Sequence, residues 1–398
     1  MEKRVTIAAY VDLDRQFLTR NDSLSLGILT KKRYFKLFPI KQAMMMTKGF
    51  LALLIYCFHF TSFAAVILQY HHVSDDTPKS TSITPKQFEV HLQYLKDNHF
   101  NVIPLSQVID DIKSQQPIKD KTVAITFDDA YIDVLTQAKP ILDKFNYPYT
   151  IFVNPGIINR NEARNSSHYL SWAQLKTMAD ENVIIANHGF EHDSMTRITE
   201  GLTQEQWLNK QTALLLSAED MIKEKTGQSW LYFAYPYGEY DPAIQHWAKA
   251  NNFVAFSQQS GAVGPHTDLA SVPRFPASMP YDKISGLRDK LNSLPFNIQL
   301  QGKQAETIFE YKQAKSITFD IETDDFYKSQ LNCYISGLGK QKIQWQGEHS
   351  FTITFSSELP TGRVRCNCTA ASISQPGHYY WYSKPWFVLK PGGEWYHL

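Results

Sequence analysis

The chain has 398 residues, 40 Lys and Arg against 39 Asp and Glu, and a formal net charge of +1. This length suits two or three domains, and near-neutrality, with no basic tract beyond the N-terminal segment, argues against nucleic acid as a partner. Aromatics are abundant, 24 Phe, 21 Tyr and 8 Trp, which suits rings stacked on sugar faces as well as a richly filled core.

Residues 1–45 mix charged and apolar side chains without a sustained period and read as an unstructured or mis-called extension. Met46-Thr47-Lys48, the apolar run from Gly49 to Phe60 and Thr61-Ser62-Phe63-Ala64-Ala65 have the charged, apolar and A-x-A-like parts of a signal peptide at 46–65. The run is short for a bilayer span, so a cut near Ala64 or Ala65 is expected, with a buried helix or an uncut anchor as the alternative. Met44, Met45 or Met46 would then be the working start. The chain is expected to be exported, to the periplasm, the exterior or the cell envelope, with peripheral envelope association.

Val66-Ile67-Leu68-Gln69-Tyr70 is the first expected strand, followed by His71-His72. Thr84 as N-cap, Pro85 at the first position and Gln87 three residues after the cap open a helix. Short runs at 101–105 and 105–113 suggest a strand and a helix. Val123-Ala124-Ile125-Thr126-Phe127 is a buried-strand pattern running into Asp128-Asp129. Residues 131–145 are helical in pattern, with Pro140 kinking or restarting the helix. Thr150-Ile151-Phe152-Val153-Asn154 is a strand ended by Pro155-Gly156, and Ser171 caps a further helix. Asn182-Val183-Ile184-Ile185-Ala186-Asn187 is a strand that meets His188-Gly189-Phe190-Glu191-His192. A long helix over 205–225 closes at Gly227. The strand at 230–235 feeds Pro236-Tyr237-Gly238, the helix at 242–251 follows, and Phe253-Val254-Ala255-Phe256 is the last strand of this half. Strands alternating with helices argue for parallel βα units, whose chemistry gathers at the carboxyl ends of the strands.

From about residue 294 the helical period fades. Short alternating runs at 316–321, 330–335, 350–355, 363–368, 379–382 and 386–389 read as a small β-sandwich. The boundary is placed near Asn292, giving a domain at 66–292 and an accessory domain at 293–398. Cys57 falls in the leader, while Cys333, Cys366 and Cys368 fall on sandwich strands. An oxidising compartment would pair Cys333 with either Cys366 or Cys368 and leave one thiol over.

Two adjacent carboxylates at a strand end repel one another unless a cation lies between them. A divalent ion would divide their tasks: Asp129 ligates, and Asp128 stays free to take a proton. His188 and His192, four apart on one turn, would complete a two-His, one-carboxylate site with open positions. Zinc heads the candidates, followed by cobalt, nickel and iron.

Thr126-Phe127-Asp128-Asp129, His188 with His192, Phe233-Ala234-Tyr235-Pro236-Tyr237-Gly238-Glu239, Tyr70-His71-His72-Val73 and Pro273-Arg274-Phe275 together resemble the polysaccharide deacetylases of carbohydrate esterase family four, and within it the secreted poly-β-1,6-N-acetylglucosamine deacetylases that act on a biofilm polymer. The resemblance runs from about residue 66 to 290. It implies a distorted (β/α)7 barrel, a metal-dependent hydrolase that removes N-acetyl groups from N-acetylglucosamine residues, and an N-acetylated polysaccharide as partner. It implies Asp128 as general base and the Tyr237 backbone N–H as oxyanion donor. His72, Pro236 and Gly238 would meet the substrate, Gly238 by letting it approach the backbone closely. No arginine lies between Trp230 and Pro236, where the family usually carries one; Arg274 could supply that charge from another loop. The family's late general-acid histidine has no counterpart here, with His266 a weak candidate and His246 a helix-surface residue. A peptidoglycan or chitin-oligomer deacetylase, or a catalytically weak glycan-binding module on the same fold, are the alternatives.

Overall fold

A computed structural model describes residues 64–300, 302–310 and 316–398. The extension at 1–45 and nearly all of the signal peptide at 46–65 lie outside the described residues. Among the described residues no helix is long and apolar enough to cross a membrane.

The first half is built on β1 (Ala65–Tyr70), β2 (Thr122–Asp128), β3 (Thr150–Val153), β4 (Ile184–Asn187), β5 (Tyr232–Ala234), β6 (Val254–Phe256) and β7 (Phe275–Pro276), in the sheet order β7-β1-β2-β3-β4-β5-β6. Every pairing along that path is parallel. Val272 bridges Phe256, the Ser257 N–H donates to the Val272 carbonyl at 2.9 Å, and Phe275 sits opposite Leu68. The 272–276 segment therefore joins β6 to β1 and closes seven strands into a distorted barrel. Alternate strand residues feed two separate cores: Leu68, Ile125, Ile151 and Ile185 one, Ile67, Ala124, Phe152 and Ala186 the other. Burial on both faces is why these strands read as continuous apolar runs.

The helices begin where the chain supplies caps. The Thr84 side chain accepts from the Gln87 N–H at the head of α1 (Pro85–Asp97). Helix α2 (Leu105–Lys113) follows. Pro140 restarts the chain as α3 (Lys139–Phe145) after a π-helical turn at Val134–Ala138. The strand stops before Pro155, as expected, and the chain enters α4 (Pro155–Ala163), because a proline at the first turn fits a helix start. Ser171 and Thr203 each form a full capping box, for α5 (Trp172–Asp180) and α6 (Gln204–Thr226), and Gly227 at φ 82° ends α6. Asp241 caps α7 (Pro242–Ala250), and α8 (Ile284–Leu291) follows the barrel.

Beyond α8 the chain is β-rich. One sheet orders β8 (Ser293–Pro295), β17 (Tyr379–Val388), β16 (Gly362–Ala371), β12 (Asn332–Ile335) and β13 (Gly339–Lys340), with β10 (Ile308–Phe309) also on β17. The other orders β9 (Ile298–Gln299), β11 (Ser316–Ile321), β15 (Ser350–Thr354) and β14 (Lys342–Trp345). Both contribute to one core containing Phe319, Phe351, Cys366 and Trp386. The runs at 379–382 and 386–389, expected as two strands, are the single strand β17. A proline inside a strand normally argues against it. Pro385 is accommodated because the far side of β17 is paired only at 379–381 and 387–388, and the proline falls in the gap. A disulfide joins Cys333 to Cys368, directly opposite one another on β12 and β16, and leaves Cys366 as a buried thiol.

Candidate active site

The carboxyl ends of β1, β2, β4 and β5 and the closing segment at 272–276 bring the chemistry together. Asp128 is the last residue of β2 and is fully buried. Arg274 Nη1 and Nη2 donate to its two oxygens at 2.7 and 2.9 Å, and Gln69 Nε2 donates to Oδ2 at 2.7 Å. Burial alone would raise the Asp128 pKa; the charges of Arg274, His188 and His71 outweigh it and hold the carboxyl at about 2. Arg274 is itself fully buried, fixed by the Ser257 carbonyl and lying 5.2 Å from the Phe152 ring centre. It puts a positive charge beside Asp128, reached from the 272–276 segment and not from the stretch before Pro236.

Asp129 and Ala130 follow at φ 73° and 58°. Two successive left-handed residues turn the chain sharply and aim the Asp129 carboxylate back across the strand ends. Asp tolerates this conformation; Ala does so at a cost of roughly 1–2 kcal/mol. His188 leaves β4 and is fully buried. Its Nδ1 meets the Ala234 carbonyl at 2.8 Å, which fixes the tautomer and leaves the lone pair on Nε2. Asn154 Nδ2 donates to the His188 and Gly189 carbonyls and steadies the same loop.

His192 does not share a helical turn with His188, as its spacing suggested. Gly189 at φ 80° and His192 at φ 59° fold a loop that delivers it. The outcome is nonetheless convergent: the two Nε2 atoms stand 3.4 and 3.5 Å from Asp129 Oδ1, and one donor atom from each of the three residues lies within 4.8 Å of the others. This donor set fits a divalent ion. His188 Nε2 is buried with no hydrogen bond, an arrangement that is costly unless something else coordinates it. Burial and the neighbouring His188 hold His192 down at about 4, in the neutral form a ligand needs.

Pro236, Tyr237 and Gly238 form the turn after β5. Tyr237 is left-handed at φ 58°, and its ring packs edge-on to His192 at 4.4 Å. Pro236 and Gly238 are buried. Gly238 is also required by the fold. At φ 70° a Cβ there would meet Gln258 Cβ at 2.7 Å, so the constraint comes from the protein's own packing.

His72 and His71, both expected near the active-site face, take different partners. His72 Nδ1 is bound to Asp133 at 2.6 Å and its ring stacks on Tyr131 at 3.6 Å, with Tyr169 stacked beyond. His71 Nε2 lies 3.8 Å from Asp128 Oδ2 and is partly open to solvent. His246 is exposed on α7. His266 lines a cavity of about 860 Å³ between the barrel and the β-rich region, whose lining includes none of Asp128, Asp129, His188 or His192. His71 was part of the Tyr70-His71-His72-Val73 motif but was given no role; Gln69, Asp133 and the Tyr131–Tyr169 pair carried no motif weight, and alternation along β1 and the helical register after Asp129 were the only signals available for them.

Residues 115–256 match the family model described as Polysaccharide deacetylase. YxkH of Bacillus subtilis (strain 168), named as a polysaccharide deacetylase, is 28% identical over 175 residues, covering 44% of this chain and 57% of that protein. The poly-beta-1,6-N-acetyl-D-glucosamine N-deacetylase of Escherichia coli (strain K12) is 22% identical over 242 residues, covering 52% of this chain and 36% of that protein. The matched region thus spans less than two thirds of either relative. Among solved structures, the Streptococcus pyogenes deacetylase PplD, in complex with acetate, superposes with a TM-score of 0.50 at 23% identity, over 58% of this chain and 99% of that one; at that identity the likeness speaks for the fold. Over residues 115–256 the chain is thus similar to the polysaccharide deacetylase family.

Proposed function

We propose that the protein is a metal-dependent N-deacetylase acting on N-acetylglucosamine residues of an extracellular or cell-envelope polysaccharide. The observation that carries this reading is the convergence of Asp129, His188 and His192 beside an ionised, buried Asp128. A divalent ion held by those three residues, zinc being the first to test, would supply polarisation of the acetyl carbonyl and lower the pKa of water.

The protein's own groups divide the rest. Each carboxylate oxygen accepts about two hydrogen bonds. Arg274 and Gln69 take both positions on Asp128 Oδ2 and one on Oδ1, so a lone pair on Oδ1 remains to receive the proton of attacking water. The Tyr237 N–H is the oxyanion donor in this reading. His71, beside Asp128, would pass a proton to the leaving amine, the task for which the sequence offered only His266 as a weak candidate. The Tyr131–Tyr169 stack gives a sugar ring an apolar face close to Asp129.

The E. coli relative's name makes poly-β-1,6-N-acetylglucosamine the first substrate to try. Export is supported by the disulfide, which persists in oxidising compartments. Residues 66–292 would then be the catalytic domain and 293–398 an accessory one, with peripheral envelope association. Acetate release from that polymer, from peptidoglycan and from chitin oligomers, measured with the metal content of untreated protein, tests the reading. Metal-loaded protein that binds glycan but frees no acetate from any of them would overturn it in favour of a binding module.

A further inference from the structure

The turn after β5 is gripped from outside the barrel at three points. Arg363 Nη1, on β16, donates to the Tyr237 carbonyl at 3.2 Å. The Thr307 hydroxyl, next to β10, donates to the Tyr240 carbonyl. The Tyr396 hydroxyl, near the C-terminus, donates to Glu239 Oε1 at 2.7 Å. All three belong to the β-rich region, and their targets lie within four consecutive residues.

Glu239 is the joint. It is fully buried, and besides Tyr396 it receives Ser194 Oγ at 2.7 Å and Arg197 Nε and Nη2 at 2.8 and 2.7 Å. Ser194 and Arg197 sit on the loop that carries His192. Arg197 Nη1 goes on to the Tyr396 carbonyl at 2.6 Å, and its guanidinium lies 4.7 and 4.5 Å from the rings of Trp395 and Tyr396. One carboxylate thus ties the His192 loop, the Tyr237 turn and the C-terminal segment together. The left-handed Tyr237 needs such support, because a non-glycine residue in that region relaxes when nothing holds it.

We propose that the β-rich region is a positioning scaffold for this turn: Thr307, Arg363 and Tyr396 hold the Tyr237 backbone, and through Glu239 and Arg197 the His192 loop, in the arrangement the reaction uses. What the turn does in catalysis rests on the deacetylase reading; the grip itself does not.

The test uses the full chain with Thr307→Val and Tyr396→Phe, singly and together. Both changes keep shape and remove one hydroxyl each. The double variant should lose about tenfold in kcat for acetate release, the scale expected for hydrogen bonds to charged and backbone groups, with KM within about twofold. Amide hydrogen exchange in peptides covering 235–241 should rise while β1 and β2 keep wild-type protection. A wild-type kcat with wild-type exchange at 235–241 would overturn the proposal. So would a loss of protection spread evenly over the barrel, which marks a general stability role. If the unmodified protein frees no acetate, the deacetylase reading fails and the exchange measurement alone decides the grip.

Discussion

Arg274 and Asp128 face each other across the barrel mouth as a fully buried pair, joined by hydrogen bonds of 2.7 and 2.9 Å from one guanidinium to both carboxylate oxygens. Removing one member of such a pair leaves an uncompensated charge, which costs about 3–5 kcal/mol. Arg274→Met should therefore lower unfolding stability by that amount and abolish acetate release. Arg274→Lys should not restore activity, since an ammonium cannot span both oxygens. Urea unfolding and an acetate assay check both; a Lys variant with near-wild-type turnover would contradict this account of the pair.

Metal and proton functions should separate by substitution. His188→Ala removes a buried ligand and is expected to lose the ion. Asp128→Asn keeps all three ligands, so metal content should survive while turnover drops by about 10²–10⁴-fold. Elemental analysis beside kinetics distinguishes the two, and parallel loss of metal in both variants would mean that Asp128 also ligates.

His91 predicts an acid limb of stability unrelated to catalysis. Its ring is fully buried between the Tyr70 hydroxyl and the Asp282 carbonyl, and burial pulls its pKa from the ordinary 6.5 to about 4. The unfolded chain takes up this proton near pH 6.5, the folded chain only near 4. Protonation therefore favours unfolding as the pH falls through that window, by at most about 3 kcal/mol. Urea titrations at several pH values should show a shallower acid slope in His91→Leu than in wild type; identical slopes would rule His91 out.

Cysteine mapping is expected to find Cys333 joined to Cys368 and Cys366 alkylated only after denaturation, since burial lifts its pKa to about 12. Cys333→Ser should cost about 2–4 kcal/mol. A Cys333–Cys366 peptide as the main product would reverse the assignment.

The parallel strands and the candidate metal ligands were legible because burial on both faces writes apolar runs, and each run ends at a chemical residue; closure into a barrel came only from the family resemblance, since the same period suits an open sheet. Asp128, Asp129 and His188 each stand at or just past a strand end, so the strand pattern located them. Arg274 was legible only through the family resemblance, as a substitute for the arginine missing before Pro236. The two adjacent histidines were not separable, since which one faces Asp128 depends on the twist of the chain leaving β1, and His72 is claimed by Asp133, a residue with no local signal. The Tyr396–Glu239–Arg197 joint was also invisible: Glu239 ends a recognised motif, but its partners lie up to 157 residues away and nothing local marks Arg197 or Tyr396. β17 was missed as one strand because the tolerance of Pro385 depends on what its neighbours leave unpaired.

The barrel's closing seam has a consequence of its own. β1 and β2 share a six-residue ladder, yet β7 holds β1 through two positions and β6 meets the closing segment by a single bridge at Phe256 and Val272. This short joint, like the single Asn187–Phe233 pairing of β4 with β5, is thinly fastened, and it is where Arg274 reaches across to Asp128. Opening the seam would pull the guanidinium from its carboxylate and strand both charges in an apolar interior. The ion pair thereby acts as a latch, and a wall that the backbone alone fastens lightly stays shut for as long as the acidic residue it guards remains ionised.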